Sequence, residues 1–459
     1  GGTDDAPVVT GGTTDVYTAA FTNAAASTVH DYDDYLFMGH TGHSAVFASL
    51  AACERAGLGT KSLLENVLVA NELAGRLGAA VAVGPHNGQM WAFLHQAAAA
   101  AVAARVSGDE RDIREAVRLA LYNPDYPLEA GFVNGDSKAF TAAKPTAAGL
   151  RVGDAAVAGA TGSPAAFADF CDSYAYLPFP EMVDGFGDAW VSRTLCFKPR
   201  PGCAYVQAPL ECLAALTDRD LDPDAIEQVT VSVPLLSVAM EGLSEPYRTP
   251  NRLLPVNVTF SVVYSLALHL VAGAVTPDCL TQEFIDEHRA DIEAMAGKIA
   301  VEHDWGMTAD VLAGLGAGVD FGPLLRDRGL LATARGLNRL GDAHSSVDTR
   351  REAAALLRSG EVRSVLGALR SPLCWDSFDL SRADFGALDF NFGAAVDVET
   401  ASGHYRAETS DHAGACGRPL ETVTETVRAK FEREVGEGFE IVTAAEDHTL
   451  AEVAAFLSD

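Results

Sequence analysis

The sequence predicts a mostly α fold with a smaller mixed α/β unit. Three observations carry this: Gly-terminated helical periodicities between residues 44 and 106, a poly-alanine segment inside the last of them, and a change of texture near Leu195. The helical block reads Ser44–Ala56 ending at Gly57, Lys61–Leu77 ending at Gly78, and Gln89–Val106 ending near Gly108. Small side chains over Ala97–Ala104 permit close helix approach, which places that segment at the centre of the bundle. Near Leu195 the chain is broken by Pro199, Pro201 and Pro209, and Ile226–Pro234 alternates valine with polar residues as a strand does. A second domain is therefore expected to start here. It should contain a helix over Phe260–Ala272, a Leu/Arg/Gly-rich stretch from about Met307 to Arg370, and strands Ala394–Glu399 and His404–Thr409 joined across Ser402-Gly403. After Gly417 and Pro419, Leu420–Val435 reads as a helix of the first type.

A chain of 459 residues with 48% hydrophobic content has room for two or three domains of roughly 150 residues and a substantial core, which excludes a disordered or fibrous protein. The formal charge is −30, which repels phosphate backbones and anionic membranes, so no nucleic-acid partner is expected. Lysine occurs at only six positions (61, 138, 144, 198, 298 and 430), and the acidic residues are spread along the chain. That pattern looks like the acidic solvating surface of halophilic proteins, and a high-salt cytoplasm is the expectation. The eight cysteines form no CxxC or other tight cluster, so buried thiols are expected and zinc or iron–sulfur centres are not. No apolar run reaches the ~18–20 residues needed to span a bilayer, and no basic-then-apolar signal opens the chain. A cytoplasmic protein without membrane contact is the expectation.

Three stretches set polar residues beside glycines at the entrance to a helix or at the domain boundary. The first runs His30-Asp31-Tyr32-Asp33-Asp34-Tyr35 and on to Gly39-His40-Thr41-Gly42-His43-Ser44, where the N–H groups of the helix beginning near Ser44 suit a carboxylate. Asp31, Asp33 and Asp34 could also ligate a divalent ion, but they lack EF-hand spacing and no metal is expected. In the second, Pro85-His86-Asn87-Gly88-Gln89, the helix dipole favours neutral His86, which suits a general base. The third, Phe197-Lys198-Pro199-Arg200-Pro201-Gly202-Cys203, offers Lys198 and Arg200 as cations for substrate carboxylates.

In their order and spacing these stretches resemble the MmgE/PrpD family, together with Phe21-Thr22-Asn23-Ala24, Leu63–Leu77 and Phe260-Ser261-Val262-Val263-Tyr264. Members include 2-methylcitrate dehydratase, cis-aconitate decarboxylase and iminodisuccinate epimerase. The resemblance implies a large all-helical domain formed by residues 1–194 and 418–459, a smaller α/β lid over 195–417, and an active site in the cleft between them. It also implies a homodimer without metal or organic cofactor. Position by position, it places Asp31, His86 and Tyr264 in the active site and leaves His40 and His43 as alternatives for the family's His-Pro histidine. Where members read Lys-Pro-Leu-His-x-Gly, this chain has Ala148 at the lysine and Arg151 at the histidine, with Lys144 able to supply the lysine only through an insertion. Gln207 stands where decarboxylase-like members carry histidine.

The chemistry so implied is proton removal next to a carboxylate of a small di- or tricarboxylate, with loss or gain of a group. The sequence reading favours a 2-methylcitrate dehydratase-like hydro-lyase of propionate metabolism. His86 or His40 would be its base, Tyr264 or a second histidine its acid, and Asp31 the group that orients a histidine. Lys198 and Arg200 would hold carboxylates, with His43, Lys144, Arg151 and Gln207 as further binding candidates. A decarboxylase, an epimerase and a catalytically silent carboxylate-binding paralogue are the alternatives.

Overall fold

A computed structural model describes residues 5–85, 88–219, 221–248, 252–343 and 349–439 of the chain. The protein is mostly α-helical, with one small mixed sheet. A short hairpin, β1 (Asp5–Pro7) and β2 (Thr13–Asp15), precedes helices α1 (Val16–Thr28), α2 (Gly42–Ala56), α3 (Thr60–Ala80), α4 (Ala92–Ser107) and α5 (Glu110–Tyr122). Asp15 caps α1 by accepting from the N–H groups of Tyr17 and Thr18, and Gly57 closes α2 at φ +68°, a conformation glycine adopts without strain. Helix α6 (Glu129–Val133), helix α7 (Phe140–Val157) and helix α8 (Ala166–Tyr174) complete the first bundle.

Helix α4 is its axis, buried from Ala92 through Ala104, where the alanine run placed it. Helix α7 lies directly against it. A Cβ on Gly149 would stand 2.3 Å from the Gln96 carbonyl oxygen, and one on Gly153 would stand 2.5 Å from that of Ala100. Gly78, by contrast, does not end its helix: α3 runs on to Ala80, and the missing side chain admits the Met38 carbonyl, 2.2 Å from where a Cβ would lie. That glycine is a packing notch for the segment that carries His40.

Two strands, β3 (Asp34–Tyr35) and β4 (Cys196–Phe197), pair antiparallel with Asp34 opposite Phe197. Beyond them come α9 (Ala204–Thr217), β5 (Ile226–Val233), α10 (Leu235–Ser244), α11 (Pro255–Thr259), α12 (Val262–Ala272), α13 (Gln282–Ala296) and β6 (Ile299–His303). Helices α14 (Trp305–Gly318), α15 (Gly322–Arg328), α16 (Leu330–Ala343), α17 (Thr349–Ser359) and α18 (Val362–Ala368) fill the Leu/Arg/Gly-rich stretch. The hairpin β7 (Ala394–Thr400) and β8 (Gly403–Thr409) follows, and α19 (Leu420–Glu434) is the last described helix. The sheet runs β6-β5-β7-β8, with β5 parallel to β6 and antiparallel to β7. Its buried valines, Val229, Val231, Val396 and Val398, form a second core with α9 and α12.

Val319, Leu324, Trp375, Phe385 and Phe390 pack into the first core, so the chain returns to the helical bundle between the β6 and β7 strands of the sheet. Helix α19 has no buried residue and contacts the bundle through polar side chains. Of the eight cysteines, Cys374 is exposed and the other seven are buried free thiols.

Candidate active site

The turn from Thr28 to Asp33 is folded around two buried ammonium groups. Asp31 sits at φ +55°, a left-handed conformation that aspartate tolerates better than most residues, and backbone of this kind concentrates at functional sites. Lys198 Nζ donates to the Asp31 carbonyl at 3.0 Å, and Lys138 Nζ donates to the Thr28 carbonyl. The β3–β4 ladder brings Lys198 across from Asp33, and the 3₁₀ turn Asp136–Ala139 delivers Lys138.

The carboxylates complete the cluster. Asp31 lies 3.1 Å from Lys138 Nζ and 3.3 Å from Lys198 Nζ, and both its oxygens accept from Gln89 Nε2 at 2.7 Å. Asp33 Oδ1 lies 2.6 Å from Lys198 Nζ, while its Oδ2 faces two histidines: His40 Nδ1 at 2.7 Å and His43 Nε2 at 3.1 Å. Burial would raise both carboxyls, but Lys138 and Lys198 hold Asp31 below the usual carboxylate range, and Lys198 with His40 and His43 holds Asp33 well below it. Burial alone would lower the Lys198 ammonium; the two aspartates overcome it and raise its pKa, so it stays charged.

An ionised Asp33 accepts the Nδ1–H of His40, which fixes the tautomer with a lone pair on Nε2. Burial pushes the His40 pKa down, more than Asp33 raises it, so the ring is neutral at pH 7. His43 Nδ1 meets Ser27 Oγ at 2.8 Å, and the His95 ring, 5.9 Å from that of His43, meets Ser44 Oγ at 2.9 Å. Burial and the neighbouring His43 depress His95 strongly.

His40 and Gln89 separate two spaces. On one side is a polar gap of about 10 Å³ bordered by Asp31, His43, His95 and Lys138, at the lower limit for one water. On the other is a cavity of about 320 Å³ between the two cores, walled by Phe37, Trp91, Tyr205, Met240, Leu243 and Phe392, among others. No hydrogen bond among the described residues engages His40 Nε2.

The sequence-predicted residues divide accordingly. The structure brings together Asp31, His40, His43 and Lys198. The carboxylate that orients His40 is Asp33, not Asp31, which instead holds the lysines. Lys198 is bound by two aspartates in place of a free substrate clamp. The carboxyl of Asp34 stands 1.8 Å from where a Cβ on Gly42 would lie, so the first turn of α2 faces a carboxyl of the chain itself. Burial raises that carboxyl's pKa. His86 lies outside the described residues.

The other candidates border neither space. Tyr264 packs under the Arg248 guanidinium at 5.0 Å, and Lys144 is exposed, 3.7 Å from Asp125. Arg151 stacks over Tyr17 at 4.5 Å. Gln207 is buried in α9, where its amide accepts from Arg200 N and donates to the carbonyls of Arg200 and Gly202. It staples the loop carrying Lys198 and does not reach the cavity. Arg200 contributes its backbone to that staple, and burial lowers its guanidinium's pKa. Sequence reasoning missed Lys138, Gln89 and His95. No local motif marks Lys138, whereas Gln89 and His95 share one turn-to-helix segment with His86 and were within reach.

The family description "MmgE/PrpD N-terminal domain" matches residues 1–175, and "MmgE/PrpD C-terminal domain" matches residues 201–318. The first match carries Asp31, Asp33, His40 and Lys138, the second carries Tyr205 and α10, and Lys198 falls between them. No curated protein matches the chain.

Proposed function

The chain belongs to the MmgE/PrpD family, and on that premise we propose a cofactor-independent lyase that removes a proton next to a carboxylate and eliminates a β-hydroxyl, the reaction type of 2-methylcitrate dehydratase. A C–H beside a carboxylate is a weak acid. Its removal at neutral pH needs a positioned base, and the charge that develops needs groups already in place to meet it. His40 is that base in this reading. Its Nε2 takes the proton, the C–H electron pair becomes the new C=C bond, and the C–O bond to the hydroxyl breaks. The imidazolium hands the proton to the departing oxygen, which leaves as water. Asp33 stabilises the imidazolium as it forms, and Lys198 and His43 keep Asp33 ionised for that task.

One observation carries this reading: His40 is bonded through Nδ1 to an ionised aspartate, and its ring lines a cavity formed by both cores, with Nε2 outside that hydrogen bond. The test is absorbance of the conjugated alkene with chelator present, using 2-methylcitrate, citrate, cis-aconitate and 3-hydroxyoctanoate. Chelator-resistant turnover of at least one hydroxy acid, lost in a folded His40→Ala variant, is the expected result. Undiminished turnover in that variant overturns the assignment.

A further inference from the structure

The wall of the cavity beside His40 does not match a compact polyanion, and from it we infer that the site takes a carboxylate bearing an alkyl or aryl arm in preference to a small tricarboxylate. This rests on the reading of that cavity as the reaction site. Trp91, Leu236, Met240, Leu243 and Phe392 present apolar surface to it, and among the described residues its lining contains no lysine or arginine. Its volume of about 320 Å³ is roughly that of ten liquid waters, enough for a chain of several carbons.

The cations nearby are already neutralised. Lys138 and Lys198 face Asp31 and Asp33 at 2.6–3.3 Å, so the two lysines and two aspartates balance. His40 and His95 are kept neutral by burial. Lys430 donates to the carbonyls of Tyr32 and Lys198 and, like Arg200, lines neither the cavity nor the gap behind it. Three carboxylates brought into this place would lose their hydration without gaining three partners, which is strongly unfavourable. One carboxylate can be met by the polar side chains that the lining does contain, Gln89 and Ser237, while an apolar arm gains by leaving water along the Met240–Leu243 wall.

Titration calorimetry of the intact chain with butanoate, hexanoate, octanoate and tricarballylate tests this. Affinity is expected to rise about fourfold per methylene along the monocarboxylates, with tricarballylate at least tenfold weaker than octanoate. Ala239→Phe, which adds a ring to the cavity wall, should abolish the chain-length dependence, and His40→Ala should retain it. Tricarballylate binding more tightly than octanoate, affinities that do not change with chain length, no binding by any probe, or a dependence that survives Ala239→Phe would overturn the inference. Because the readout is binding, a chain-length dependence without turnover of any hydroxy acid refutes the lyase reading and leaves this preference standing.

Discussion

His40 Nδ1 lies 2.7 Å from Asp33 Oδ2, and the other oxygen of Asp33 is held 2.6 Å from the buried ammonium of Lys198. The cation fixes the carboxylate as an anion, the anion fixes the imidazole tautomer, and the tautomer leaves Nε2 basic on a ring that lines an apolar cavity. Each link is a hydrogen bond between groups withdrawn from water, where such contacts are strongest and loss of one partner is most damaging.

Asp33→Asn should therefore act twice. Loss of the anion removes the support for the imidazolium and should lower kcat by about 10²–10⁴. It also leaves Lys198 with a weaker partner, which should destabilise the fold by roughly 3–5 kcal/mol. Denaturant unfolding and steady-state rates measured on the same preparation separate the two effects.

The activity should have an acid limb and no fall through neutrality on His40's account. Burial lowers the His40 pKa, so the basic form predominates at pH 7 and is lost as pH falls below the ordinary histidine range. The profile of kcat/KM should rise with pH to a plateau whose midpoint lies below 6.5.

Stability should fall in the same direction. Burial lowers His412 to about 3 and His269 to about 4, so between pH 6.5 and those values the unfolded chain binds protons that the folded chain does not. Their contribution is whole above pH 6.5 and is lost as pH drops toward 4. His269→Met should flatten the dependence of Tm on pH over that interval.

Lys144→Ala should leave turnover within about threefold of the parent and stability within about 1 kcal/mol, since its pairing with Asp125 is solvent-exposed. Gln207→Ala should cost about 1–3 kcal/mol by orphaning the loop groups it bonds, without moving the midpoint of the pH–rate profile.

At the bundle axis, Gly149→Val would drive a side chain into the Gln96 carbonyl of α4. A destabilisation of about 1–3 kcal/mol is expected from thermal unfolding.

The helical bundle was legible because its signals are local. The alanine run does mark α4, Gly57 does close α2 at φ +68°, and the helix expected to end at Ala272 does so as α12. The valine alternation yields β5, and the proposed strand pair forms β7 and β8, with the turn at Ala401-Ser402 one residue earlier than expected. Gly78 was misread because a helix stop and a close-packing notch carry the same residue, and only the approach of Met38 distinguishes them.

In the site, the His- and Asp-rich segment was visible as a motif, and His40, His43, Asp31 and Lys198 do converge. Which aspartate meets which histidine was not visible, because the left-handed turn at Asp31 rotates its carboxylate toward Lys138 and leaves Asp33 to the histidines. Tyr264 and Gln207 were placed by correspondence of position. Local geometry assigns one to Arg248 and the other to the loop backbone.

The most direct test of the account is solvent-deuterium incorporation at the carbon beside the carboxylate. It would be followed by NMR for 3-hydroxyoctanoate and 2-methylcitrate with the parent, His40→Ala and Asp33→Asn proteins. The account predicts exchange by the parent, a loss of about 10²–10⁴ in Asp33→Asn, and none detectable in folded His40→Ala. Exchange at the parental rate without the His40 imidazole would contradict it.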